Sequence, residues 1–367
     1  MRGPAVFPIM IAAGGTGGHF FPAEALASEL LARGRRVALM TDTRSSGLRS
    51  PVFAGLDQYV ISGAGIAGRG WRAGSAALSL ARGVVQARRI LARCNAAAVV
   101  GFGGYPCVAP VLATLLMPRR PSVVLHEQNA VLGRANRFLA RHADILALSF
   151  AGTERVPETA ATVVTGNPVR PAILALPYTP PRDVLRLLVL GGSLGARVFS
   201  DVVPPALVAL PETIRLRLSV VQQCRAEDLD RVRAAYDAAG ITAELATFFP
   251  DVAERLSAAH LVIARAGAST VAELAVAGRP AILVPLPGAI DDHQSANARA
   301  LADARGASSI AQRDFTPDTL RERLAALLAS PDMLNHAALA AHSIAREDAA
   351  VRLADVVEQL MRQEVQA

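Results

Sequence analysis

The chain has 367 residues, of which 52% are hydrophobic and 19% charged, a length that accommodates two domains with a buried core each. A formal charge of +7, with 31 acidic residues, excludes an intrinsically disordered acidic chain. All 38 basic residues are arginine, so there is no Walker-type phosphate loop, no kinase ATP lysine and no Schiff-base lysine.

In chain order, short apolar runs alternate with helical periodicity. The first predicted strand, Val6–Ala12, runs into Gly14-Gly15-Thr16-Gly17-Gly18-His19. Met1–Ala13 has the look of a weak signal peptide, but its continuity with that loop makes better sense as part of a fold. Val37–Thr41 is the next strand. A helix follows over Ser75–Arg93, on which Arg82, Arg89 and Arg93 share one face at 100° per residue. Leu80, Val84, Ala87 and Leu91 lie opposite and should face the core. Leu78 and Val85 flank the arginine face, with Trp71 just upstream. Cys94–Pro118 is uncharged and long enough to span a bilayer, yet Gly101, Gly103, Gly104, Pro106 and Pro110 interrupt it. A strand (Ala97–Val100), a glycine turn and a buried helix (Cys107–Met117) fit better.

Further strands are predicted at Val123–Leu125, Ile145–Leu148 and Val163–Val164, then a proline-rich linker over Pro168–Pro181. The cycle restarts at Leu185–Leu190, whose loop Gly191-Gly192-Ser193-Leu194-Gly195 echoes the first, and continues through Arg215–Val221, Leu261–Ala264 and Ala281–Val284. Apolar runs alternating with helices predict βαβ units and two doubly wound parallel sheets. Residues 1–150 carry 17 Arg and 6 acids (+11), whereas residues 151–367 carry 21 Arg and 25 acids (−4). Such asymmetry points one half toward a polyanion or an anionic membrane. Cys94, Cys107 and Cys224 form no CxxC pair and read as free thiols, and no His/Cys cluster has zinc-site spacing.

In parallel α/β sheets ligands bind beyond the carboxyl ends of strands, which directs attention to six loops. Gly14–His19 suits an oxyanion at a helix start, or is only a tight turn with a surface histidine. It lacks the GxGxxG pattern of dinucleotide sites. His126-Glu127-Gln128-Asn129, placed just after a strand, forms a polar cluster for a polyhydroxylated ligand or a capped helix entry. Gly166-Asn167-Pro168-Val169-Arg170 offers Arg170 to a phosphate, or is a hinge. Gly191–Gly195 offers Ser193 to a phosphate, or is a turn. Arg265–Glu273 opens a helix with small residues that leave room for a phosphate; Glu273 either closes a capping box with Thr270 or accepts ribose hydroxyls. Asp291-Asp292-His293-Gln294 suits sugar hydroxyls better than a metal, since no third ligand is evident.

These segments, in this order, resemble the undecaprenyldiphospho-muramoylpentapeptide β-N-acetylglucosaminyltransferases, a family of glycosyltransferases with the GT-B fold. The resemblance spans Gly14 to about Gly306 and rests on GGTGGH (14–19), HEQN (126–129), GNPVR (166–170), GGS.GA (191–196), RAGASTVAE (265–273) and DDHQ with Asn297. It implies two Rossmann-like domains with an interdomain cleft: residues 1–168, facing acceptor and membrane, with helix 345–367 packing back on them, and residues 169–344, holding the UDP-sugar. It implies inverting transfer of N-acetylglucosamine from UDP-N-acetylglucosamine to the 4-hydroxyl of the muramyl sugar of lipid I, giving lipid II at the cytoplasmic face of the cell membrane. Donor contacts carry over to Thr16, Gly17, Gly18, Asn129, Arg170, Ser193, the segment Ala268-Ser269-Thr270-Val271-Ala272-Glu273, His293 and Gln294. Phe249 matches a position whose backbone meets uracil. Leu194 departs from the family's frequent glutamine, which puts one side-chain contact in doubt.

Such a reaction needs a base for the hydroxyl proton. His19 is the first choice and Glu127 the rival. It also needs charge stabilisation at the diphosphate, expected from the Gly267–Glu273 helix start, Ser193 and Arg170, without a cofactor or an obligatory metal ligand set. Trp71, Leu78, Arg82, Val85 and Arg89 are expected to meet an anionic bilayer surface, the alternative being an ordinary solvated basic helix. Rival readings are another GT-B enzyme, such as a diacylglycerol glucosyltransferase or a nucleotide-sugar epimerase, and a non-catalytic nucleotide-sugar-binding subunit. HEQN and RAGASTVAE disfavour the first two, and two complete glycine loops the last. With aromatics at only 4%, nucleic-acid binding is not expected.

Overall fold

The computed structural model describes residues 7–14, 17–42, 50–62, 71–173, 175–192, 195–328 and 330–366. The chain divides into two compact units, Met1–Arg170 with Glu347–Ala367, and Pro171–Arg346.

In the first unit the order is β1 (Ile9–Ala12), α1 (Gly17–Ala32), β2 (Val37–Thr41), α2 (Pro51–Ala54), β3 (Asp57–Val60), α3 (Trp71–Cys94), β4 (Ala98–Gly101), α4 (Val108–Thr114), β5 (Ser122–Glu127), α5 (Arg134–Leu139), β6 (Ile145–Leu148) and β7 (Thr162–Val164). The strands pair in parallel as β3-β2-β1-β4-β5-β6-β7. The central strands are apolar throughout because both faces are covered. Side-chain alternation sends Met10 and Ala12 into the core that includes Ala87 and Leu91 of α3, and Ile9 and Ile11 into the one that includes Leu26 and Leu30 of α1. Helix α3 comes close because Gly83 has no side chain; a Cβ there would lie 2.1 Å from the Ser62 carbonyl oxygen.

The second unit runs β8 (Leu185–Leu190), α6 (Arg197–Val208), α7 (Glu212–Arg215), β9 (Leu218–Gln223), α8 (Leu229–Ala238), β10 (Thr242–Ala246), α9 (Val252–Ala258), β11 (Leu261–Ala264), α10 (Ala268–Ala277), β12 (Ala281–Leu283), α11 (His293–Asp303), β13 (Ala307–Ser309), α12 (Pro317–Leu328) and α13 (Pro331–Ser343). Its parallel order, β10-β9-β8-β11-β12-β13, winds as the first unit does, outward from its first strand and then back to the other side. The last helix, α14 (Ala349–Gln366), belongs to the first unit. It places Leu353, Ala354 and Val357 in the core shared with α1, and Arg33 and Arg35 both bond Glu358, at 3.1 and 2.5 Å.

Three strands escape hydrophobic patterning: β3, β10 and β13. Each is a sheet edge with at least one exposed, polar position and no continuous apolar run. Some predicted bounds also shift. The expected helix over Cys107–Met117 is a 3₁₀ turn, Tyr105–Cys107, followed by the shorter α4. The expected strand Arg215–Val221 starts later, at Leu218, because Glu212–Arg215 already forms a helical turn behind Pro211.

Candidate active site

In each unit the winding reverses beside the first strand, between β1 and β4 and between β8 and β11, where the carboxyl ends of the strands open a crevice. The glycine loops lie at these two points.

In the first unit, Gly17, Gly18 and His19 begin α1, and His19 is part-buried. Its ring lies along the Gly103-Gly104 turn that follows β4. Cβ atoms built on those glycines would come within 3.5 and 3.4 Å of the ring, and both residues have positive φ, 81° and 67°. The buried Cys107 thiol donates to the Gly104 carbonyl at 3.0 Å and braces the turn; burial pushes that thiol up to about 12. His19 Nδ1 meets Gln128 Oε1 at 3.0 Å, Gln128 Nε2 meets His126 Nδ1 at 3.0 Å, and His126 Nε2 meets the Gly166 carbonyl at 3.0 Å. His126 is wholly buried. Burial lowers it to about 4, against the opposing pull of the Gly166 bond and Glu127, so it stays neutral through the physiological range.

The polar run 126–129 was expected to follow a strand. Instead, His126 and Glu127 are the last two residues of β5, which buries both and leaves Gln128 and Asn129 to open the loop. The Glu127 carboxylate gathers that loop. One oxygen accepts from Asn129 N and Nδ2, both at 3.0 Å; the other accepts from Gly133 N and Asn136 Nδ2, both at 2.9 Å. Asn129 is thus turned toward Glu127. Arg170 packs its guanidinium over the Phe21 ring of α1, 4.8 Å from the centroid. Thr16 lies outside the described residues, as do Ser193 and Leu194 in the second unit.

In the second unit, Gly267 precedes α10 without a side-chain cap, so the first-turn N–H groups of Ala268, Ser269 and Thr270 have no partner within the helix. The Ser269 hydroxyl is buried and unpartnered among the described residues. Of the two readings of Glu273, the capping box with Thr270 is set aside by the helix start, since the N-cap is Gly267. The helix starts at Ala268, which puts both inside it rather than at N-cap and N3, and Glu273 is left 8% exposed on the first two turns. Val271 points into the core and Ala272 is half-buried. The helix ends at Gly278 with φ 59°. Asn297, fully buried on α11, donates to the Ala266 carbonyl at 3.1 Å and fixes the entry to α10. The preceding turn carries Asp291 and Asp292 at positive φ. His293 Nδ1 donates to Ile290 O at 2.7 Å, and Gln294 Oε1 accepts from Leu286 N at 3.0 Å. Gln223, at the end of β9, accepts from Gly191 N at 3.1 Å and donates to Gly192 O at 3.0 Å, pinning the second glycine loop. Phe249 is buried under the Arg255 guanidinium, 4.3 Å from its centroid.

Arg265 is tied inward, to Pro285 and Val284 carbonyls and, at 2.7 Å, to Gln312 Oε1. Sequence reasoning missed Gln223 and Asn136 as site-building residues and had Gln128 only as one member of the polar cluster 126–129. Gln128 stood inside a quoted motif, whereas Gln223 and Asn136 carry no signal beyond being polar near a strand end or helix. Among the described residues no group of three His, Cys, Asp or Glu is placed to hold a metal ion.

On α3, Ala87 and Leu91 are buried and Leu80 and Val84 half-buried, whereas Leu78 and Val85 are 54% and 47% exposed beside exposed Arg82 and Arg89. Arg88 donates to the Leu116 carbonyl at 3.0 Å, next to the exposed Leu115 and Leu116. The Trp71 side chain lies outside the described residues. No described helix is long and apolar enough to cross a membrane.

Residues 9–147 match the glycosyltransferase family 28 N-terminal domain and residues 186–356 the glycosyltransferase family 28 C-terminal domain. The UDP-N-acetylglucosamine–N-acetylmuramyl-(pentapeptide) pyrophosphoryl-undecaprenol N-acetylglucosamine transferase of Granulibacter bethesdensis is 64% identical, over 98% of this chain and 95% of its own. The transferase of the same name from Acidiphilium cryptum is 57% identical, over 97% and 98%. The crystal structure of Acinetobacter baumannii MurG matches with a TM-score of 0.79 at 32% identity, over 96% of this chain and 99% of that one. Two parallel sheets of seven and six strands, together with this match, identify the GT-B fold.

Proposed function

This chain belongs to glycosyltransferase family 28, and from that premise we propose how it carries N-acetylglucosamine from UDP-N-acetylglucosamine to undecaprenyl-linked muramoyl-pentapeptide, turning lipid I into lipid II. The observation that carries the reaction is the 64% identity across 98% of the chain with a transferase of that name. The residues supply the roles. The muramyl 4-hydroxyl attacks the anomeric carbon, its proton passes to His19, and UDP departs with inversion.

His19 is favoured over Glu127 on geometry. Both Glu127 oxygens already accept two hydrogen bonds each from their own loop, whereas His19 is part-buried at the strand ends and engages through Nδ1. Glu127 is then the organiser of the loop that carries Gln128 and Asn129. In the second unit the diphosphate lies on the N–H groups and Ser269 hydroxyl at the opening of α10, where the helix dipole favours developing negative charge. Glu273 takes the ribose hydroxyls, the backbone at Phe249 the uracil, and His293 and Gln294 the sugar. Thr16, Gly17, Gly18, Asn129, Arg170 and Ser193 are assigned as further donor contacts by the family resemblance.

The lipid-linked acceptor requires work at a bilayer surface. Exposed Leu78, Val85, Leu115 and Leu116 beside Arg82 and Arg89 suit the cytoplasmic, anionic leaflet, and the sequence adds Trp71, the first residue of α3. The decisive assay follows label from UDP-N-acetylglucosamine into a short-chain lipid I analogue, with and without EDTA. Retained turnover in His19→Ala with intact donor binding would remove the base assignment; no transfer by the unmodified chain would remove the function.

A further inference from the structure

We propose that Gln128 and His126 are positioning residues that lock His19 into the Nδ1–H tautomer, leaving the Nε2 lone pair for the acceptor hydroxyl. The proposal rests on His19 being the base, and the direction of every bond follows from one fixed end. The Gly166 carbonyl can only accept, so His126 Nε2, 3.0 Å away, carries the hydrogen. Neutral imidazole has one ring N–H, so His126 Nδ1 is bare and must accept from the Gln128 amide at 3.0 Å. The second amide hydrogen is spent on the His126 carbonyl at 3.2 Å. The Gln128 amide therefore cannot turn over, and its Oε1 is what faces His19 Nδ1 at 3.0 Å. An amide oxygen only accepts, so Nδ1 must carry the hydrogen.

Each link is enclosed. His126 is wholly buried, Gln128 is 1% exposed, and Phe102 packs against the His126 ring with centroids 5.3 Å apart. Burial keeps His126 neutral, as the scheme requires. The His19 ring cannot easily flip its nitrogens, because it lies on the Gly103-Gly104 turn. The chain is a lock and not a proton wire. When Nε2 takes the hydroxyl proton, the cation keeps its Nδ1–H on Gln128, and that proton leaves again from Nε2, since an amide oxygen does not accept it onward. The carbonyl at the far end belongs to the Gly166–Arg170 segment that closes the first unit, which gives that motif a part in the chemistry apart from any phosphate contact.

The test is ¹⁵N-histidine NMR of the full chain, with the His19 signals assigned by their loss in His19→Asn, alongside steady-state kinetics with a lipid I analogue. Wild type should show a protonated Nδ1 and a bare Nε2 on His19. Gln128→Leu should shift His19 toward the Nε2–H form and lower kcat by roughly 10- to 100-fold, with the KM for UDP-N-acetylglucosamine within about twofold. Gln128→Glu, with its carboxyl protonated on the oxygen that meets the bare His126 Nδ1, still accepts from His19 Nδ1–H through the other oxygen and should keep the tautomer and recover part of kcat. A wild-type His19 in the Nε2–H form overturns the lock whether or not the Gln128 variants fold. So does a Gln128→Leu chain that loses turnover with its His19 tautomer unchanged. If His19→Ala itself retains turnover, the base assignment falls first and the lock with it.

Discussion

His126 should make the first unit sensitive to acid in a way that one substitution removes. Its imidazole titrates near 6.5 in an unfolded chain and at about 4 in the native one. With the native value depressed, the unfolded state binds the proton first as pH falls, so stability is intact above 6.5 and is lost progressively toward 4. Below 4 both states are protonated and the loss levels off. A gap of about 2.5 units at 1.36 kcal/mol per unit is on the order of 3 kcal/mol, of which about 2 kcal/mol falls between pH 7.5 and 5.0. The assay is urea unfolding at those two pH values, followed by fluorescence of Trp71, the only tryptophan, which lies in the first unit. Other groups also titrate in this range, so the quantity read is the difference in pH dependence between wild type and His126→Gln. The variant should start less stable, having weakened the bonds to Gly166 and Gln128, yet lose about 2 kcal/mol less on acidification. Equal slopes in the two proteins would refute the claim that His126 is buried and neutral, because no other change in the variant removes a proton-binding site.

Three other outcomes are expected. Glu273→Gln should raise the dissociation constant for UDP by about 10- to 100-fold, the worth of charge-assisted bonds to two hydroxyls, with UMP affected in parallel; calorimetry showing unchanged UDP affinity would free Glu273 from the ribose. Gly191→Ala places a Cβ 2.4 Å from the Ala196 backbone nitrogen and 2.8 Å from the Gly195 carbonyl carbon, where no side chain can yield. It should cost about 2 kcal/mol or more of second-unit stability in thermal unfolding, and a stable variant with normal donor binding would contradict that packing. Arg82→Glu with Arg89→Glu should weaken flotation with anionic liposomes by about 1 kcal/mol per charge while leaving neutral liposomes unaffected, and flotation indifferent to both would count against the α3 face as the membrane contact.

The elements that sequence made legible are those with a single physical reason for their composition. The strands β6 and β11 match their predicted bounds because a parallel strand covered on both faces is apolar throughout; β2 and β8 match as well, with Thr41 closing the one and a single exposed Arg186 in the other. The buried and exposed faces of α3 follow from 100° periodicity alone. Strand β3, Asp57-Gln58-Tyr59-Val60, could not be read that way, since an edge strand pairs on one side and its side chains meet water. The site was legible as loops, not as bonds. A histidine after a glycine run is visible in the sequence; that it meets Gln128, 109 residues later, is a product of β1, β4 and β5 lying side by side. The Thr270–Glu273 spacing left two readings open because a capping box and the interior of a helix share the same four-residue pattern until the first helical residue is known.

The repeated winding explains why the two halves can take different tasks with the same scaffold. Each unit follows its first strand with glycine, Gly14 after β1 and Gly191 after β8, and then enters a helix at the reversal point. What differs is the neighbouring strand end. In the second unit, β11 leads through Ala266-Gly267 into α10, and small residues with an unpartnered hydroxyl leave its amides open to an anion. In the first, β4 leads into Gly103-Gly104, and His126 and Glu127 at the end of β5 with Gln128 just beyond it form a hydrogen-bonded polar array beside His19. There a hydroxyl seeking a lone pair would find one held in place on His19. Exchanging the two functions would therefore need changes just after β5, not at the glycine loop: Gln128→Ala should loosen His19, yet Gly103→Ala, with φ of 81° and an amide nitrogen of Asn136 3.3 Å from the new Cβ, should strain the turn it lies on.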